Sequence, residues 1–257
     1  MSSRVEQKAA ARAQRDAFVR EQEVRERRRR TLIQLGIALA AAAAIVIVLI
    51  VVSQAGDDTG GPIEGGAESS ELFAGIPQEG RFLGPRDAPV ALVEFADLQC
   101  PACQQYSADV VPALVNDYVR EDRLRMELWP IAILGPDSEV GARAALAAGR
   151  QDKMWEYADL LYRNQGIENT GYLTESFARD VAAAVPGLDV ERFTRDLGSA
   201  AVERDLARAQ STAQARGVNG TPTVLVGRRG ESPQAVEVTA QGPDQYTGAI
   251  DRLLGRR

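Results

Sequence analysis

The chain is predicted to be α/β, a single folded domain carried behind one transmembrane helix, and three observations predict it. A short apolar strand, Val90–Ala96, runs directly into a Cys-x-x-Cys motif that opens a helix. Beyond it the pattern reads strand, helices, strand, strand, helix, with no internal repeat. Ahead of all this lies a 21-residue stretch, 32–52, without a charged side chain.

Composition sets the outer bounds. The 257 residues are 45% hydrophobic and 26% charged, ordinary for a folded protein. The net charge of -6 is unevenly spread, because residues 1–31 carry ten Lys/Arg against five Asp/Glu. The two parts of the chain are therefore expected to face different surroundings.

Residues 32–52 are long enough, at 1.5 Å per residue, to cross roughly 30 Å of hydrocarbon. Arg27, Arg28, Arg29 and Arg30 abut the first end, and Asp57, Asp58, Glu64 and Glu68 follow the second. The positive-inside bias then keeps residues 1–31 as a cytoplasmic basic tail and places the remainder outside, at the cell membrane. A cleaved signal peptide is the rival reading, since Ser53-Gln54-Ala55 offers small residues at the right spacing; the polar leader and apolar core are both long for one. Arg-rich residues beside a membrane helix orient it and touch anionic lipid, so no nucleic-acid partner is expected. Residues 53–71, rich in Gly, Asp and Ser, read as a flexible linker spanning on the order of 25 Å. The domain is expected over 72–257.

Within it, Val90–Ala96 reads as a buried strand, Pro101 to about Arg120 as helical, and Leu124–Leu134 as a strand. A helical stretch occupies about 137–217, with Met154, Ala158 and Leu161 on one face and Val202, Leu206, Ala209 and Ala213 on another. Two short strands, Thr223–Val226 and Ala235–Thr239, and a closing helix over Asp244–Leu254 complete the order.

The absence of His removes the commonest general base and zinc ligand, which excludes Ser-His-Asp hydrolysis and His-containing metal sites. Two Cys cannot complete a four-thiolate zinc site, and standing three apart they would close a loop too short to staple the fold. A redox pair remains, with neither metal nor cofactor required. Pro101 at the first helical position puts Cys100 at the helix N-terminus, where free N–H groups and the helix dipole lower a thiol pKa below its free value of roughly 8.5. Cys103 lies one turn deeper on the same face. Cys100 is expected to exchange with substrate and Cys103 to resolve.

Glu94 sits in the middle of the apolar strand. Buried on a central strand, its carboxyl would be protonated near neutrality and able to exchange a proton with Cys103; on an edge strand it would be merely solvated. Asp97 is expected to assist the turn into the helix.

Val93-Glu94-Phe95-Ala96-Asp97-Leu98-Gln99-Cys100-Pro101-Ala102-Cys103, together with Gly217-Val218-Asn219-Gly220-Thr221-Pro222-Thr223, resembles the DsbA-like branch of the thioredoxin superfamily, in particular its membrane-anchored bacterial members. The resemblance covers about Gly84 to Leu254. It implies a thioredoxin-like fold with a helical insertion, a cis bond before Pro222 beside the sulfurs, and a Thr221 backbone free to pair with an extended substrate. Pro101, Ala102, Thr221 and Pro222 would thus touch substrate. The implied partners are exported proteins with free thiols and a membrane redox protein that recycles the pair. One departure stands out: well-known oxidants of this type carry Pro-His between the cysteines, whereas this chain has Pro101-Ala102. The expected activity is the introduction of disulfides into exported proteins by the Cys100/Cys103 pair; the alternatives are a reductase or isomerase kept reduced by a membrane partner, and a tethered peptide-binding or chaperone module without redox turnover.

Overall fold

In the computed structural model, residues 62–236 and 242–255 are described. The expected membrane helix at 32–52, the basic tail and residues 53–61 of the expected linker lie outside them, and no helix among the described residues is long and apolar enough to cross a membrane.

A six-stranded sheet organises the domain. Strands β1 (Gln78–Glu79), β2 (Phe82–Leu83), β3 (Val90–Ala96), β4 (Leu124–Pro130), β5 (Thr223–Arg228) and β6 (Gln234–Ala235) stand in the order β1-β2-β4-β3-β5-β6. Strand β3 is central, parallel to β4 and antiparallel to β5. Its two-residue period turns Val90, Leu92, Glu94 and Ala96 to one face and Val93 and Phe95 to the other. The first face meets the larger core, which includes Cys103, Tyr106, Leu114, Leu128, Leu161 and Tyr246. The second meets a smaller cluster of Phe95, Ile131, Ala209, Ala213 and Leu225.

Helix α1 (Gly66–Phe73) precedes the sheet, so the expected tether boundary at Glu71 moves back to about residue 65. Phe73 is buried against Trp155, and Ser69 Oγ donates to the Glu156 carbonyl. Those two anchors hold a segment whose polar composition reads as linker.

The predicted helix from Pro101 is real but interrupted. Helix α2 (Pro101–Asp109) gives way to α3 (Val111–Leu114) and a π turn over Val115–Val119. Pro112 has no N–H to donate, which removes one rung of the ladder at the break. Strand β4 ends at Pro130, short of the expected Leu134. Ile131 still donates to the Ala96 carbonyl of β3, but the Ile133 and Leu134 N–H groups turn to the Asp97 carboxylate.

The helical insertion comprises α4 (Pro136–Gly149), α5 (Met154–Arg163), α6 (Glu175–Ala184), α7 (Val190–Leu197) and α8 (Ala200–Ala215). Both predicted apolar faces are buried: Met154, Ala158 and Leu161 on α5, and Val202, Leu206, Ala209 and Ala213 on α8. Thr174, Asp189 and Ser199 cap α6, α7 and α8 by accepting from a backbone N–H three residues on. Helix α9 (Asp244–Leu254) closes the fold where the sequence placed it, while the predicted strand Ala235–Thr239 is seen only as Gln234–Ala235, its remaining residues from 237 lying outside the described part.

Candidate functional site: two cysteines at a helix start

The site forms where β3 hands over to α2. Cys100 is the N-cap of α2, extended at φ -74° and ψ 121°, with Pro101 at the first helical position. The Asp97 side chain shapes the approach. One carboxylate oxygen accepts from Gln99 N at 3.0 Å; the other accepts from Ile133 N at 2.9 Å and Leu134 N at 3.2 Å. Asp97 is fully buried, and all three of these donors come from loop backbone. It is a turn-forming residue, as its position before the helix suggested.

Cys100 and Cys103 are both buried, at 6% and 0% exposure, and are free thiols. Their environments drive them apart. The Cys103 thiol beside it lowers the Cys100 pKa most; burial opposes, and the Thr221 side chain and the backbone N–H groups of Cys103 and Ala102 lower it further, to about 6. In its neutral form the Cys100 Sγ also donates to the Thr221 carbonyl oxygen at 3.4 Å, a contact that favours the thiol and is outweighed by the donors facing the sulfur. Burial pushes Cys103 well above the ordinary thiol value, and the hydrogen bond to Cys100 and the charges of Cys100 and Glu94 push the same way. One sulfur is therefore a thiolate near neutrality and the other a thiol.

Glu94 is 3% exposed on the central strand, which settles its position against the edge-strand alternative. Burial raises its pKa to about 8, so it is mostly protonated at neutral pH. Tyr106, Tyr162 and Tyr246 surround the same region, each with a phenol pKa raised by burial and by the Glu94 charge. Pro101 and Ala102 are exposed beside the sulfurs. The Thr221–Pro222 bond is cis and leads into β5. All eight residues singled out in the sequence, Asp97 included, thus gather at one end of the sheet or directly beneath it.

Sequence reasoning missed the polar frame around Cys100. Gln99, fully buried, donates through Nε2 to Ser138 Oγ at 2.7 Å and accepts from Asn169 N at 2.9 Å. Gln165 Nε2 donates to the Leu98 carbonyl at 3.0 Å and the Cys100 carbonyl at 3.3 Å, and Tyr162 Oη donates to the Asp97 carbonyl at 3.2 Å. The insertion thereby holds the backbone on which Cys100 stands. Nothing in residue type or spacing marks Gln165 or Asn169, since their partners are 65 and 70 positions away.

Comparison with known proteins agrees with this geometry. A family model described as thioredoxin matches residues 77–252. A probable disulfide bond formation protein D of Bacillus cereus is 32% identical over 190 residues, covering 73% of this chain and 83% of that protein. A thioredoxin-like oxidoreductase from Silicibacter pomeroyi is 31% identical and superposes with a TM-score of 0.52 over 73% of this chain and 98% of that one. Oxidised BdbD from Bacillus subtilis, at 22% identity and a TM-score of 0.61, shares the fold over 70% of this chain and 97% of its own. The chain belongs to the thioredoxin family, and within it to the DsbA-like thiol–disulfide oxidoreductases.

Proposed function

We propose that this protein is a membrane-anchored oxidase that introduces disulfides into exported polypeptides through Cys100 and Cys103, its domain standing outside the cell membrane on a helix formed by residues 32–52. The observation that carries the reading is the split between the two sulfurs: Cys100 drawn down to about 6 and Cys103 raised by burial. A sulfur that is stable as a thiolate is a good leaving group, and a good leaving group makes its disulfide a good oxidant.

The reaction balances on the residues present. A substrate thiolate attacks Cys100 Sγ in the Cys100–Cys103 disulfide; the S–S bond breaks, its electron pair goes to Cys103, and Glu94 supplies the proton that turns Cys103 into a thiol. A second substrate thiolate then attacks the substrate sulfur of the mixed disulfide and expels Cys100 as a thiolate. The substrate loses two electrons and the cysteine pair gains them. A membrane redox partner reoxidises the pair. Exposed Pro101 and Ala102 meet the substrate beside the sulfurs, while the Thr221 backbone, next to the cis Pro222, pairs with it as an added strand would.

Pro101-Ala102 favours the second reading, a reductase or isomerase, because no imidazole lies between the cysteines to stabilise the thiolate. The hydrogen bonds to Cys100 take over that role in part. Oxidation of a reduced, unfolded protein carrying two thiols tests the proposal: wild type forms the disulfide, and Cys100→Ala does not. Undiminished oxidation by Cys100→Ala would contradict it.

A further inference from the structure

Glu94 must exchange protons with water each time the disulfide opens or closes, yet protein closes around it. Cys103 and Tyr106 face it from α2, Tyr162 from α5 and Tyr246 from α9. Burial keeps the three phenols neutral. The space beside Glu94 offers a further direction. Glu94 lines a cavity of about 10 Å³, near the lower limit for a single water, whose other polar walls include Ser107 and Asp159.

Those two residues also line a second, open cleft of about 290 Å³, with Gln104, Asp109 and Arg163 along its sides. Asp159 is 4% exposed and stands between the two spaces. Its carboxylate accepts from Arg163 Nε at 2.7 Å and from Ser107 Oγ at 3.5 Å, a contact loose enough to open. Arg163 is partly exposed at the cleft.

From this juxtaposition we propose that Ser107 and Asp159 form a proton port, linking the Glu94 cavity to solvent on the α2–α5 side of the domain. The port rests on the reading of Glu94 as the proton carrier for Cys103. When the disulfide opens, Glu94 gives its proton to the Cys103 thiolate and is reprotonated through a water hydrogen-bonded between Glu94, Ser107 and Asp159. When Cys103 resolves a mixed disulfide, the same proton leaves by the same path. Substrate covering the sulfurs then leaves the proton path open. Asp159 is a positioning residue in this scheme, orienting the water rather than touching the reacting sulfurs.

The test is the first-order release of glutathione from a mixed disulfide at Cys100, a step that needs Cys103 to lose its proton. Ser107→Val fills the cavity wall while keeping the Asp159–Arg163 pair; Asp159→Asn removes the buried carboxylate. Both variants are expected to slow release about tenfold, less than the 10² to 10⁴ expected of a missing acid or base, with a larger solvent deuterium effect. Alkylation of Cys100 by iodoacetamide should proceed at the wild-type rate in Ser107→Val, which separates a blocked port from a disturbed helix. Wild-type release in Ser107→Val alongside slow release in Glu94→Gln would overturn the port and leave Glu94 in place. Wild-type release in Glu94→Gln would overturn the underlying reading itself.

Discussion

At the scale of single residues, the chemistry depends on giving two identical side chains different acidities. Cys100 takes donors at a helix start; Cys103, three residues later, is fully buried. The consequence for stability has a definite sign. A thiol whose pKa falls from 9.0 in the unfolded chain to about 6 in the fold stabilises the fold fully above pH 9 and progressively less as pH falls toward 6. The oxidised protein has no such thiol. Urea denaturation of both redox forms should therefore show the stability of the reduced form, relative to the oxidised one, rising with pH between 6 and 9; a difference independent of pH would mean that Cys100 is not a thiolate in the fold. The cysteine pair and the buried position of Glu94 were legible in the sequence because they follow from type and spacing: two Cys, no His, and a carboxylate six residues upstream inside an apolar strand.

At the scale of elements, the turn between β3 and α2 is fixed by side chains that read as ordinary loop polarity. Asp97 is the clearest case, since one buried carboxylate holds the loop before the helix and the loop after β4. Asp97→Ala would leave three backbone N–H groups without their partner, a loss of about 2 to 4 kcal/mol on unfolding in urea. A cost under about 0.5 kcal/mol would show that those groups find water instead. Helix α1 went unread because its Gly, Ala, Glu and Ser residues carry little apolar signal; Phe73 and Ser69 hold it through residues more than eighty positions away. The end of β4 went unread for the opposite reason. The apolar run continues to Leu134, but its last N–H groups pair with Asp97 rather than with a strand.

At the scale of the whole molecule, the order of strands and helices from β3 onward was visible in periodicity, whereas β1, β2 and the docking of the insertion against the Cys100 loop were not. That docking rests on Gln99, Gln165, Asn169 and Tyr162, whose pairings span from 39 to 70 positions and leave no local pattern. The proposed anchor makes a separate prediction. The full chain should sediment with membranes and resist extraction by high salt, and removal of residues 1–52 should release a soluble domain that still oxidises thiols; a full chain found free of membranes would remove the anchor from the account.

The central claim is that this chain works as an oxidant, and the redox state of its cysteines in living cells tests it most directly. Cells would be quenched rapidly in acid and their free thiols alkylated with a mass tag. The account predicts a pair found mostly as the Cys100–Cys103 disulfide, turning to dithiol when its membrane partner is removed. A pair found mostly as dithiol in unperturbed cells would contradict it and point to a reductase or isomerase.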